Sequence, residues 1–236
     1  MKKYKKEEKY NKKYFEIYAK KTLEYCYNES WIKCFDVNKE KPDLQSETLN
    51  MGIEVTRALP QKNGKINSMF NKYVNKNIKY SELKNKVESL GGTVYKIGKS
   101  TIMSPTQGLS DFKNHIDDLI CAIKVKTIDK LPDYKIFSKN MLYVFTHEAL
   151  FTQADIENTF KILNLELLEY DLKFDLYFIN CIDMIFVVDM NGVILDEISI
   201  SDEMLEKIKQ EAINESLLEE QFYGGQYEME NRKYRN

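Results

Sequence analysis

The sequence predicts an α/β protein in which helices flank a mixed central sheet, with additional C-terminal strands and a helix. Apolar residues recur at helical spacing in some segments and alternate with polar residues in others, which indicates both kinds of element. The clearest helix is predicted over residues 110–131, and the clearest hairpin turns at Asn191-Gly192. Because no repeat or Pro/Ser-rich linker interrupts the chain, residues 1–200 are expected to form one domain that includes a basic N-terminal helix. Residues 201–236 are expected to form an acidic helix and a frayed tail.

The N-terminal elements are predicted to be a helix and a three-stranded antiparallel meander. The helix is expected over residues 12–27, where apolar residues follow the helical period. The period then changes, and runs rich in β-branched and aromatic residues favour short strands. These strands are predicted over residues 31–37, 42–49 and 51–59.

The middle of the chain is predicted to be helical and then extended. Amphipathic spacing over residues 66–74 and 83–90 indicates helix, and Gly91-Gly92 stops the second stretch. Residues 93–103 are β-branched and are expected to be extended.

The second half alternates between helix and strand. Ser110 is expected to cap the helix over residues 110–131, and Pro132 helps to end it. Thr152 and Asp155 are expected to open a later helix that runs to about residue 163. Strands are predicted over residues 141–146, 174–179, 184–189 and 193–198, and a final helix is predicted to start at Ser201.

Composition indicates a globular protein. The chain has 236 residues, of which 43% are hydrophobic and 31% are charged, with only 9 Gly and 4 Pro. This composition excludes collagen-like and wholly disordered chains. There is no apolar run of membrane-spanning length and no signal peptide, so we expect a cytoplasmic protein with no membrane partner. The four cysteines form no C-x-x-C pair and are expected to remain thiols.

Charge is unevenly distributed although the formal net charge is only −2. Residues 1–21 contain nine Lys and three Glu, whereas residues 201–236 contain nine acidic and five basic residues. The basic segment has two interpretations, which are a solvated helix face and an electrostatic arm for a phosphate backbone.

Two short motifs are near misses. Gly98-Lys99-Ser100 lacks the upstream glycine at the spacing of a phosphate-binding loop, and the residues before it favour a strand. His147-Glu148 lacks the second histidine of a zinc-binding helix, and His115 is the only other histidine in the chain. A nucleotide-binding loop and a zinc hydrolase are therefore disfavoured.

The candidate site consists of two carboxylates on neighbouring predicted strands. Within the strand over residues 51–59, Glu54 and Thr56 share one face because side chains alternate. A carboxylate in the middle of such a strand is costly unless a cation or a hydrogen-bond donor meets it. Asp43 starts the preceding strand, so the hairpin can place Asp43 beside Glu54. Two adjacent carboxylates favour a divalent cation; the alternative is that Asp43 only starts a turn and Glu54 pairs with a nearby lysine.

This segment resembles the PD-(D/E)XK nuclease superfamily, which has the restriction-endonuclease-like fold. The proline-aspartate of the family falls on Pro42-Asp43, and its Glu-x-Lys half falls on Glu54-Val55-Thr56. The predicted order of elements over residues 12–103 also resembles the core of that family. Thr56 occupies the position of the usual lysine and cannot supply a cationic amine.

A replacement lysine is therefore expected from another element. Lys126 and Lys130 lie four residues apart on the predicted helix, along the edge of its apolar stripe, and both could extend toward the site. Lys126 is favoured over Lys130 and over Lys62, and surface lysines are the alternative interpretation of each. Further residues that could complete a metal shell are Glu24, Glu47 and Gln45.

The resemblance implies a metal-dependent nuclease that acts on nucleic acid, with DNA favoured. Asp43 and Glu54 would hold Mg²⁺ or Mn²⁺, and the lysine would position a water or offset charge in the transition state. The alternative is a catalytically inactive binding or accessory protein of a phage or mobile element on the same scaffold. The sequence leaves open the cleavage mode and the oligomeric state.

Overall fold

A computed structural model describes residues 12–27, 33, 35–37, 41–58, 66, 69, 72–73, 77–97, 100–104, 112–146 and 151–216. The α-helices in this part of the chain are α1 (Lys12–Cys26), α2 (Tyr80–Ser89), α3 (Phe112–Lys124), α4 (Gln153–Glu166) and α5 (202–216). The strands are β1 (Asp36–Val37), β2 (Leu44–Ser46), β3 (Met51–Arg57), β4 (Thr93–Ile97), β5 (Ser100–Ser104), β6 (Lys139–Phe145), β7 (Leu176–Asn180), β8 (Met184–Asp189) and β9 (Ile194–Ser199).

The predicted α/β class is confirmed, because a seven-stranded mixed sheet lies at the centre of the fold. Its strand order is β1-β2-β3-β6-β7-β8-β9. The strands β3, β6 and β7 are parallel, and the pairs on either side of them are antiparallel. The carboxyl ends of the three parallel strands therefore meet at one edge of the sheet.

Helices cover both faces of the sheet and give a three-layer architecture. The first apolar core joins α1 and α5 to one face, through residues such as Leu23, Ile53 and Ile208. The second core joins α3 and α4 to the opposite face, through residues such as Ile123 and Leu142. Ile53 and Val55 belong to the first core, so strand alternation turns Glu54 toward the second.

The meander is confirmed, but its strands are shorter than predicted. The second strand ends at Ser46, and residues 47–50 form a turn in which Asn50 has a positive φ of 53°. In the predicted strand over residues 31–37, the described part contains only the two residues of β1 as strand. Trp31 lies outside the described residues, as do most positions of the predicted helix over residues 66–74.

Residues 93–103 were predicted to be extended, and the strands found there lie outside the main sheet. These residues form a separate hairpin of β4 and β5, against which α2 packs. The next strand of the main sheet is β6, which pairs with β3 in parallel and places Glu54 beside Leu142. A β-branched run favours a strand but does not specify its partner, and the crossover to β6 includes α2, the hairpin and α3.

The predicted helix over residues 110–131 changes its geometry near the end. Beyond Lys124 it continues as a π-helix over Val125–Lys130 and then as a 3₁₀ turn over Leu131–Asp133. Pro132 lies inside that 3₁₀ turn, and Ser110, the predicted cap, lies outside the described residues. Such π-helical turns are uncommon and occur frequently at functional sites.

The C-terminal half follows the prediction closely. Thr152 and Asp155 form a capping box at the start of α4, which extends to Glu166. Gly192 has a φ of 86° in the turn between β8 and β9, a conformation that glycine adopts without strain. Helix α5 runs over residues 202–216, and the predicted frayed tail lies outside the described residues.

The predictions about membrane spans and cysteines can be compared with the described residues. None of the helices seen there is both long enough and apolar enough to cross a membrane. Within the described residues, Cys26, Cys121 and Cys181 take part in no disulfide, and Cys34 lies outside those residues.

Candidate active site

Glu54 lies in the middle of β3 with a fully buried side chain. It faces the second core, where a buried charge needs compensation. The Lys126 ammonium donates a hydrogen bond to Oε1 of Glu54, and the Tyr134 hydroxyl donates to the same oxygen at 2.8 Å. The π-helical turn after α3 carries Lys126, and Tyr134 follows the 3₁₀ turn, so one irregular segment supplies both donors.

Asp43 lies across the β2–β3 hairpin from Glu54. Leu44 pairs with Ile53, and extending this antiparallel register by one residue sets Asp43 opposite Glu54. The Asp43 side chain is 1% exposed, and its Oδ2 accepts a hydrogen bond of 2.9 Å from the backbone N–H of Val55. The hairpin thus fixes one carboxylate against the strand that carries the other.

The two carboxylates repel each other and sit in a poorly solvated place. Burial raises the pKa of Glu54, the Asp43 charge raises it further, and Lys126 and Tyr134 oppose the rise, with a raised pKa as the net result. Burial and then the Glu54 charge raise the pKa of Tyr134 well above its ordinary value. Tyr134 therefore keeps its proton over the whole neutral range and acts as a donor to Glu54.

The residues present fit a hard divalent cation. The second oxygen of Glu54, Oε2, is buried and has no hydrogen-bond partner among the described residues, a state that costs free energy in the isolated protein. Asp43 supplies a second carboxylate close enough to influence the pKa of Glu54. In the described part of the chain, no group of three or more His, Cys, Asp or Glu side chains could hold a metal. Two carboxylates suit Mg²⁺ or Mn²⁺, which keep several waters and bind phosphate oxygens beside one or two carboxylates.

The other predicted residues are placed with mixed results. Thr56 is half-buried on the same face of β3 as Glu54, as alternation predicts. Lys130 is exposed at the end of the π-helical turn and forms no ion pair within the part of the chain that the structure describes. Lys62 lies outside the described residues. Of the predicted lysines, the structure brings Lys126 to Glu54.

The additional shell residues have other partners. Glu47 is exposed in the turn and pairs with Lys135 at 2.5 Å. Glu24 pairs with lysines of its own helix at 3.7 Å. Gln45 is buried, and its Nε2 donates a hydrogen bond of 2.8 Å to the Pro42 carbonyl, which supports the hairpin.

Sequence reasoning missed Tyr134, which binds Glu54 and lies near the segment that precedes Asp43. Its hydroxyl binds Glu54, and the Lys41 ammonium lies 5.0 Å from the centre of its ring, one residue before Pro42. The only sequence signal was an aromatic residue directly after Pro132-Asp133, at the end of the helix that carries Lys126.

Comparisons with known proteins give no family for this chain. No protein-family model matches it, and no significant match is found among curated proteins or solved structures.

Proposed function

We propose that this protein is a divalent-metal-dependent nuclease that hydrolyses phosphodiester bonds of nucleic acid, with DNA as the favoured substrate. One observation carries the proposal: the amine of Lys126 lies on Glu54, beside Asp43, although strand β3 has Thr56 where a lysine would be expected. Two carboxylates and one lysine are the side chains that the resemblance to PD-(D/E)XK nucleases implies, and here the lysine comes from a separate helix instead of strand β3. The fold agrees with that resemblance in its meander and in its parallel neighbour strand.

Asp43 and Glu54 are the residues that would hold Mg²⁺ or Mn²⁺. When bound, such an ion polarises a phosphate oxygen and lowers the pKa of a bound water. The Val55 N–H keeps Asp43 in place, and Tyr134 keeps Glu54 in place. Lys126 offsets negative charge that develops on the phosphate and orients the attacking water. Its flexible stem allows the amine to move from Glu54 to a phosphate oxygen.

Cleavage assays with single- and double-stranded DNA and RNA test the proposal. Wild-type protein should cleave one of these substrates with Mg²⁺ or Mn²⁺ and should stop when EDTA is added. Asp43→Asn and Glu54→Gln should abolish cleavage and remove the calorimetric signal of Mn²⁺ binding.

Lys126→Met separates the role of the amine from that of the metal. The methionine keeps most of the aliphatic stem, so Mn²⁺ binding should persist while the cleavage rate falls by at least about tenfold, and about 10²–10³-fold for a full transition-state contact. Lys124→Met is the matched control, because Lys124 lies in the same helix and pairs with Glu166 at 2.9 Å, away from Glu54. Equal rates for Lys126→Met and wild type would contradict the role of Lys126.

The second candidate function is a nucleic-acid-binding protein without catalysis. It is favoured by the same contact, because the Lys126 ion pair compensates the charge of Glu54 without the need for a metal ion. Nucleic-acid binding without cleavage of any substrate in Mg²⁺ or Mn²⁺ would select this function over the nuclease.

A further inference from the structure

A cavity of about 720 Å³ opens on the face of the sheet opposite Glu54. The last residues of the three parallel strands line it: Arg57 of β3, Phe145 of β6 and Asn180 of β7. In open α/β sheets, ligands bind beyond the carboxyl ends of parallel strands. The volume also lies within the range of about 300–1,000 Å³ that is typical of small-molecule sites.

One side of the cavity is aromatic. The ring centres of Phe15 and Tyr18, both from α1, lie 5.5 and 5.4 Å from that of Phe145. The Arg57 guanidinium lies over the Phe15 ring at 4.4 Å from its centre. Stacking of this kind fixes the plane of the guanidinium and leaves its edge donors for another acceptor.

Charged residues of α5 also line the cavity. Lys209 and Glu206 line it, and both are exposed. Neither Arg57 nor Lys209 forms an ion pair with any residue in the described part of the chain. Two cations that form no ion pair with a described residue, beside aromatic rings, are suited to an anionic group attached to a planar ring.

The cavity also includes a strained residue. Ile182, between β7 and β8, has a φ of 61° and is 44% exposed. A β-branched residue is rarely found at such a φ, whereas glycine adopts it readily. Strained backbone positions cluster at binding sites, where the side chain is needed despite the cost in stability.

We propose that this cavity binds a nucleotide, either a free nucleoside monophosphate or the terminal nucleotide of a nucleic acid chain. Arg57 and Lys209 bind the phosphate, and the base packs against Phe15 and Ile182. The site is separate from Asp43 and Glu54, because residues 54 and 57 of one strand point to opposite faces of the sheet. It is therefore independent of the proposed nuclease activity.

Calorimetry on the full chain in EDTA tests the proposal without a contribution from a bound metal. The probes are 2′-deoxyadenosine 5′-monophosphate, deoxyadenosine and inorganic phosphate. The monophosphate should bind saturably at one site. Deoxyadenosine and inorganic phosphate should each bind at least about tenfold more weakly, because each of them makes only part of the contacts. A 5′-phosphorylated tetranucleotide that displaces the monophosphate and binds more tightly would identify the terminal nucleotide as the ligand. Failure to displace would identify the free nucleotide.

Substitutions test which residues bind the monophosphate. Arg57→Met and Lys209→Met should each weaken monophosphate binding by about tenfold or more, since each removes a charge-assisted contact. Lys207→Met is the control, because Lys207 lies in the same helix but over the Tyr25 ring, at 4.1 Å. Ile182→Gly should relieve the strained φ and keep or raise the melting temperature while weakening binding, and Glu54→Gln should leave binding unchanged.

Several results would overturn the proposal. They are an absence of saturable binding by any deoxynucleoside monophosphate, unchanged affinity in folded Arg57→Met and Lys209→Met, and inorganic phosphate that binds as tightly as the nucleotide. If Arg57→Met does not fold, Arg57→Lys is tested in its place. It keeps the charge but loses the planar guanidinium, so it should bind the monophosphate more weakly than wild type. Loss of binding in Glu54→Gln would also overturn it, because the ligand would then occupy the other face of the sheet.

Discussion

Glu54 is held in an unfavourable place by two compensating donors. A fully buried carboxylate next to a second one is costly, and Lys126 and Tyr134 together reduce that cost without removing it. The unpartnered Oε2 is the part of the cost that remains. A cation bound at Glu54 would therefore lower the free energy of the folded protein.

The raised pKa of Glu54 predicts how metal-free stability depends on pH. The folded protein binds the Glu54 proton more tightly than the unfolded chain does, whose value is near 4.5. Stability from this group is therefore fully present below about pH 4.5 and is lost as the pH rises through the raised folded pKa. Glu54→Gln should remove that decline, as measured by urea unfolding at a series of pH values in EDTA. Glu47→Gln, at an exposed ion pair, is the control and should keep the wild-type slope. An identical slope in Glu54→Gln and wild type would contradict the assignment.

Tyr134→Phe removes the hydroxyl that donates a hydrogen bond to Glu54 and keeps the aromatic ring. Loss of a hydrogen bond to a charged group costs about 1.5–3 kcal/mol. Because that bond stabilises the ionised form, the pKa of Glu54 should rise further and the loss of stability should be larger at pH 8 than at pH 5. Mn²⁺ binding should shift to higher pH by the same argument. Tyr170→Phe, at an exposed position, is the control. A uniform loss of stability at all pH values would assign Tyr134 to packing alone.

At the scale of elements, the β2–β3 hairpin was predictable and the irregular end of α3 was not. Alternation within residues 51–59 placed Glu54 and Thr56 on one face, and hairpin pairing placed Asp43 beside Glu54. Lys126 was also predicted, because it follows the apolar stripe of its helix. The π-helical turn and Tyr134 were missed, because residue spacing describes regular helices and carries no signal for a local change of period.

Strand pairing was the other feature that sequence could not supply. Period and propensity located β6 and an extended segment over residues 93–103, but they did not show which of the two pairs with β3 or that the second is a hairpin. Their assignment depends on long-range packing, in which Met51 pairs with Lys139 and Met141 pairs with Leu176. Local preferences do not encode such contacts.

Gly52 lets the hairpin close over the site. A Cβ at this position would lie 2.4 Å from Pro42 Cγ and 2.8 Å from Phe137 Cδ2. Gly52→Ala should therefore destabilise the protein by about 1–3 kcal/mol, through overpacking that displaces Pro42-Asp43. Chemical denaturation measures the loss, and Mn²⁺ calorimetry should show weaker binding because Asp43 moves relative to Glu54. An Ala variant as stable as wild type would show that Pro42 and Phe137 adjust freely.

At the scale of the whole molecule, the two charged termini partly neutralise each other. Lys21 of α1 contacts Glu215 of α5 at 2.7 Å and Glu211 at 3.8 Å, and the Tyr25 hydroxyl donates to Glu211. Both helices pack on the same face of the sheet. Part of the lysine excess over residues 1–21 is therefore used within the fold. Five of the nine lysines lie among residues 1–11, outside the described residues, and these are the lysines whose role in binding a phosphate backbone is to be tested.

This division of charge predicts a specific salt dependence for nucleic-acid binding. Replacing the five lysines of residues 1–11 by Gln should weaken binding to DNA of any sequence and flatten the slope of log K against log salt. Each phosphate contact that is lost should reduce that slope by about 0.9 on duplex DNA. Lys21→Gln should leave the slope unchanged and lower thermal stability instead, because its partners are Glu211 and Glu215. Fluorescence anisotropy with labelled duplexes at several salt concentrations measures both variants. A flattened slope in Lys21→Gln alone would place the phosphate contacts on α1, whereas wild-type slopes in both variants would leave the basic segment as a solvated surface.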